Sequence, residues 1–126
     1  MKEIIAIFLG GGIGSVLRYL VNLQITRLAG WAFPLGILTI NVTGSLLMGM
    51  VAGYFIGKTD VWSQDVRLFL ATGILGGYTT FSAFSLDAAN LIQRGEPGTA
   101  AFYVGASVLF SIIGLFCGLW VIKVLA

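Results

Sequence analysis

The residues of most chemical interest in this chain are neutral donors set inside apolar runs. Asn41 stands in one such run, with Thr39 and Thr43 close by. Its amide offers two N–H donors and one carbonyl, so it suits a hydrogen bond between helices or the ligation of an anion. Tyr103, Ser107 and Ser111 recur every four residues. On a helix that spacing aligns three hydroxyls into a polar track, unless the serines only bond back to their own backbone. Phe81 and Phe84 are three apart and share a helix face. Such rings ordinarily meet lipid or pack. Beside a polar segment, their positive edges can also face an anion without offering a hydrogen bond.

That polar segment is Gly73-Ile74-Leu75-Gly76-Gly77-Tyr78-Thr79-Thr80-Phe81-Ser82-Ala83-Phe84-Ser85. Adjacent glycines, β-branched threonines and two serines weaken helix propensity, and a break is predicted near Gly76–Thr80. Carbonyls freed by a break suit a cation, and freed amides suit an anion. Two charged residues lie within reach of this chemistry. Arg18 either snorkels to the membrane interface or sets a positive charge at a vestibule. Asp87 either pairs with Arg18 or caps a polar pathway, and the residue order leaves that open.

Composition excludes most other chemistry. The chain has 126 residues and no histidine, which removes Ser/His/Asp and Cys/His triads and most zinc sites. No nucleophile has a base, so an enzyme is not expected. The lone cysteine, Cys117, lies in an apolar run and cannot form an intrachain disulfide. A net charge of +2 without a basic stripe argues against nucleic-acid binding. Gly12-Ile13-Gly14 resembles part of a dinucleotide fingerprint but lacks the third glycine and the βαβ context.

These donors must be held by membrane helices. Hydrophobic residues are 58% of the chain and charged ones 10%, against about 25% charged in soluble domains. Mean hydropathy is +1.00. Four apolar stretches are long enough to cross a bilayer: Ile4–Ile25, Pro34–Ile56, Val66–Leu91 and Thr99–Leu125. The first, preceded by Lys2 and Glu3, is read as a span and not a leader. The links are Thr26–Phe33, Gly57–Gln64 and Gln93–Gly98, too short to separate domains, so residues 1–126 read as one four-helix domain. Glycines at small-xxx-small spacing, Gly10 and Gly14, Gly49, Gly53 and Gly57, Gly114 and Gly118, predict close helix contacts within one chain or between copies. Lys2, Lys58, Arg67 and Lys123 fall on one side of the membrane. Arg27 and Arg94 fall on the other, with Arg18 as a possible third. So small a bias predicts insertion in both orientations and, from it, an antiparallel pair.

The whole chain resembles the Fluc/CrcB family of fluoride channels. The resemblance rests on Gly10-Gly11-Gly12-Ile13-Gly14-Ser15-Val16-Leu17-Arg18-Tyr19, on Thr39-Ile40-Asn41-Val42-Thr43-Gly44, and above all on Gly76-Gly77-Tyr78-Thr79-Thr80-Phe81-Ser82-Ala83-Phe84-Ser85. It implies an all-α, dual-topology antiparallel homodimer in the bacterial inner membrane, with two pores that pass fluoride passively out of the cytoplasm. It also implies that the ring edges of Phe81 and Phe84 contact the ion, that Asn41 donates to it, and that Tyr103, Ser107 and Ser111 form the track. Arg18 would stand at the vestibule. The carbonyls of Gly76 and Thr79, from both copies, would hold a structural sodium ion. The chain departs from the family pattern at Ala83, where threonine is common, and at Asp87, where glutamate is common. Leu115 continues the track's stripe without a hydroxyl. The leading alternative is a small proton-coupled multidrug exporter, which needs a membrane-embedded acid on its first span. Here Glu3 is terminal and Asp87 is on the third span. A non-transporting assembly subunit would need no polar stripe.

Overall fold

Apolar length sets the architecture. A helix rises about 1.5 Å per residue, so crossing a hydrocarbon core takes roughly 20 residues. The computed structural model, which describes residues 1–126, has four stretches of helix long and apolar enough to do so. They are α1 (Lys2–Ala29), α2 (Leu35–Tyr54), a composite third span (Val61–Gln93) and α6 (Pro97–Leu125). In the third span, α3 (Val61–Arg67) passes into a π-helical segment, Leu68–Leu75, and a last turn, α4 (Gly76–Tyr78). Thr79 and Thr80 are extended, and α5 (Phe81–Gln93) completes the crossing. There are no strands. The fold is all-α and multi-pass, with its third span interrupted, as the residue pattern predicts.

Local chemistry sets the helix ends. α1 stops at Gly30, whose φ of 86° is open to glycine and costly for other residues. Pro97 occupies the first turn of α6, where its missing N–H costs nothing. The third span begins at Val61 and not Val66, because Asp60 caps it by accepting the Ser63 amide at 2.9 Å. Hydrogen bonding from the Ser63 side chain, and then from its amide, holds the Asp60 carboxyl below its ordinary range. The break falls at Thr79–Thr80, the far edge of the predicted window, and Gly76 and Gly77 stay helical.

Two helix pairs pack almost backbone to backbone. A methyl on Gly10 would come 2.6 Å from the Phe69 carbonyl oxygen, and one on Gly77 would come 2.5 Å from that of Gly11. The π-helical turn, which nothing in the residue order signals, lies where α1 presses on Phe69, Gly73 and Ile74. Between α2 and α6, a methyl on Gly49 would overlap the Leu115 carbonyl, and one on Gly118 the Leu46 carbonyl. The small-residue spacing therefore serves contacts within one chain. Gly57 is the exception: it turns the chain at φ 78° and touches nothing.

Only 20 of 126 residues are buried, so Phe8, Leu20, Phe116 and Trp120 point outward, as lipid permits and water would not. The small core, Ile37, Ile40, Phe84, Leu91, Ala100 and Tyr103, joins α2, α5 and α6 beside the break. Ion pairs tie the ends. Lys2 reaches Asp65 at 3.0 Å on one side of the bundle. At the other, Arg94 donates to the Ala32 carbonyl at 2.8 Å and pairs with Glu96 at 2.9 Å.

Candidate functional site at the helix break

Leaving the helix at Thr80 strands a peptide group in an apolar setting. Asn41 of α2 satisfies it twice: its Nδ2 donates to the Thr80 carbonyl at 3.0 Å, and its Oδ1 accepts the Thr80 amide at 2.8 Å. The interhelical reading of Asn41 is thus realised, and one of its two N–H donors is still uncommitted. Thr80 Oγ1 accepts the Ala83 amide at 3.1 Å, capping α5. The amide-rich, partly positive end of α5 therefore opens at this depth.

A groove of about 300 Å³ lies beside the break. Asn41, Thr79, Thr80, Phe81, Phe84, Ser107 and Ser111 line it, with Leu115 in the stripe position beyond Ser111. No charged residue is among its walls. Ser107 is only 5% exposed and its Oγ has no hydrogen-bond partner. Two other hydroxyls nearby are spent: Ser85 on the Phe81 carbonyl at 2.9 Å, Thr43 on the Thr39 carbonyl at 2.7 Å. Phe81 is 78% exposed and Phe84 is buried, their centroids 5.4 Å apart with the rings tilted by 53°.

Tyr103 belongs to the stripe but does not line this groove. Its fully buried ring packs on Phe84 at 5.3 Å and edge-on to Phe33 at 5.6 Å. Its hydroxyl donates to Asp87 at 3.3 Å. Asp87 in turn lines a second chamber of about 240 Å³ with Asn22, Asn90 and Arg94. Asp87 therefore meets Tyr103 and makes no pair with Arg18. Arg18 is half-buried, and its Nη1 donates to the Thr79 carbonyl at 3.3 Å.

The carbonyl side of the break fits a hard cation. The Thr80 amide, which would bond the Gly76 carbonyl in an unbroken helix, goes to Asn41 instead. The Thr79 carbonyl takes the long Arg18 contact and keeps a lone pair. No cluster of His, Cys, Asp or Glu offers an alternative metal site. Sequence reasoning missed Ser45, which lines the groove, although it lies four residues after Asn41 and so on the same helix face.

The family model described as CrcB-like protein, Camphor Resistance (CrcB), matches residues 5–119. The chain is 58% identical over 117 residues to the fluoride-specific ion channel FluC of Rhodopseudomonas palustris (strain BisB5), covering 93% of this chain and 94% of that one. It is 50% identical over 125 residues to the fluoride-specific ion channel FluC of Rhodospirillum centenum, covering 98% and 97%. Against the protein of the same description from Rhizobium meliloti, identity is 50% over 119 residues, with 94% of each chain covered. With four apolar spans, an interrupted third helix and this similarity over nearly its full length, the chain is a multi-pass inner-membrane protein that belongs to the CrcB family.

Proposed function

We propose that this chain is a passive, fluoride-selective channel that lets fluoride out of the cytoplasm. Relatives named as fluoride-specific channels support the ion. The structural observation that carries the reading is the unpartnered, buried Ser107 hydroxyl in a groove beside the amide end of α5. Fluoride is small and strongly hydrated, so a pore must replace its water with fixed donors. Ser107, Ser111 and the spare N–H of Asn41 are those donors, while the single O–H of Tyr103, past the Phe84 ring, is given to Asp87. The rims of Phe81 and Phe84 add weaker positive contacts. Arg18, at the Thr79 end of the break, raises the local potential for an anion. Fluoride that enters the cell as its neutral acid dissociates there and returns through the pore as the ion.

The working unit is an antiparallel homodimer with two pores. Phe81 is 78% exposed beside a groove that one chain leaves open, and a second copy would wall it in. The near balance of Lys and Arg between the two sides supports insertion both ways. Two-fold symmetry then repeats the groove. At the centre, the carbonyls of Gly76 and Thr79 from each copy would hold a structural sodium ion, which supplies a fixed positive charge. A proton-coupled exporter is disfavoured, because Asp87, the acid at membrane depth on the third span, is engaged by Tyr103.

Efflux from liposomes tests the proposal. Voltage-driven fluoride release with chloride retained is expected. Release that requires a proton gradient overturns the channel in favour of the exporter. Folding without sodium should weaken the dimer, and equal dimer yield with and without it removes the central ion.

A further inference from the structure

A groove of about 710 Å³ lies between the C-terminal ends of α2 and α6, away from the break. Its walls are apolar and aromatic, with Tyr54 from α2 and Phe116, Leu119 and Trp120 from α6. Lys58 and Lys123 also line it, and no acidic residue does. The chain's ion pairs are Met1–Glu3, Lys2–Asp65 and Arg94–Glu96, so both lysines are free of one. The nearby Asp60 carboxylate feels the charge of Lys58 but is turned to the Ser63 amide and makes no ion pair with it. Lys58 Nζ stands 4.5 Å from the centre of the Tyr54 ring, which keeps this ammonium on the groove's aromatic wall. Tyr54 and Trp120 are mostly exposed near their helix ends, the position of residues that sit at the headgroup level.

We propose that this groove is a binding site for one anionic phospholipid, with an acyl chain against Phe116 and Leu119 and the phosphate between Lys58 and Lys123. Charge complementarity selects the occupant. Two ammonium groups that make no ion pair, beside an apolar cleft, match a lipid of net negative charge, and a zwitterionic headgroup offsets its phosphate with its own cation. A second copy of the chain fits less well. In an antiparallel pair this end of one copy meets the opposite end of the other, where Glu96 is already paired with Arg94 at 2.9 Å and Asp87 is engaged by Tyr103, so a second copy brings the lysines no free acid.

The test uses the full chain in phosphatidylcholine bilayers, with Trp31→Phe and Trp62→Phe leaving Trp120 as the only tryptophan. Brominated phosphatidylglycerol and brominated phosphatidylcholine are compared as quenchers. Each lysine near a membrane surface contributes about 1 kcal/mol toward an anionic lipid, so two predict roughly a thirtyfold preference for phosphatidylglycerol. Lys58→Gln with Lys123→Gln should abolish the preference, and the paired arginine variants should keep it. Lys2→Gln with Arg67→Gln, which removes equal charge from the same end, should leave it unchanged. Equal quenching by the two lipids overturns the site. So does a loss as large from Lys2→Gln/Arg67→Gln, which would mean diffuse surface charge. Absence of quenching by either lipid overturns it too, and points to a second copy over Trp120. If the tryptophan substitutions impair folding, native mass spectrometry of the unsubstituted tryptophan background reads the same lipid preference. Fluoride flux takes no part in these readouts, so the lipid site and the channel can fail separately.

Discussion

Ser107→Ala separates stability from conduction, because the two effects have opposite signs. The Ser107 hydroxyl is 5% exposed and bonds to no protein group. A buried, unsatisfied polar group costs about 1–3 kcal/mol, so deleting this one should leave the fold as stable as before or more so by up to that amount. A hydrogen bond to a charged partner contributes about 1.5–3 kcal/mol. If Ser107 donates to fluoride at the step that limits flow, its loss slows conduction about tenfold to a hundredfold. Ser107→Thr keeps the hydroxyl and should keep most of the flux. The assay pairs fluoride efflux from liposomes, driven by a potassium potential, with thermal unfolding of the same preparations in detergent. Unchanged efflux in the alanine variant refutes the donor role. A marked fall in unfolding temperature refutes the premise that the hydroxyl lacks a partner.

Asn41→Ala removes both bonds to Thr80 and strands an amide and a carbonyl, at about 1–3 kcal/mol each. Hydrogen exchange at Thr80 should accelerate ahead of the rest of α5, and unchanged protection there means the clamp is not what holds the break. Phe81→Ile should suppress fluoride efflux with little loss of stability of the single chain, in which Phe81 is mostly exposed. Phe84→Ile should suppress efflux and also lower the unfolding temperature, because Phe84 belongs to the core. Efflux that survives either change removes the ring-edge contribution. Gly118→Ala drives a methyl into the Leu46 carbonyl and should cost folded yield, whereas Gly105→Ala meets open space and should not. Comparing the two by size-exclusion chromatography checks the packing of α2 on α6.

The spans were legible because length and apolarity alone decide a membrane crossing, and both can be counted along the chain. The weakness of the third span was legible too, from its glycines and threonines. Its exact seat was not, because the ladder opens where Asn41 captures the Thr80 peptide, and that partner is distant in sequence. Propensity alone pointed to Gly76 and Gly77 as much as to the threonines, yet both glycines remain helical, and Gly77 is a packing surface for Gly11 of α1. The four-residue period found Ser107 and Ser111 correctly as neighbours in the groove. It could not show that the Tyr103 ring would be drawn into the core and its hydroxyl turned to Asp87, since burial depends on Phe33 and Phe84 from other elements. The same period applied from Asn41 would have found Ser45.

Helix ends of opposite polarity meet at one depth in this fold. The carbonyl end of α4 and the amide end of α5 are separated by two extended residues, so one side suits a cation and the other an anion. Arg18 already rests on the Thr79 carbonyl, but a carbonyl has two lone pairs, so the guanidinium and a sodium ion can share it. Both would then add positive potential from outside the groove, whose own walls carry no charge at all. An anion in that groove meets dipoles and hydroxyls that replace its water, and no ammonium or guanidinium lines the wall to hold it. Attraction that acts from a distance, combined with contacts that are individually weak, favours an ion that enters readily and leaves readily, which is what passive conduction requires.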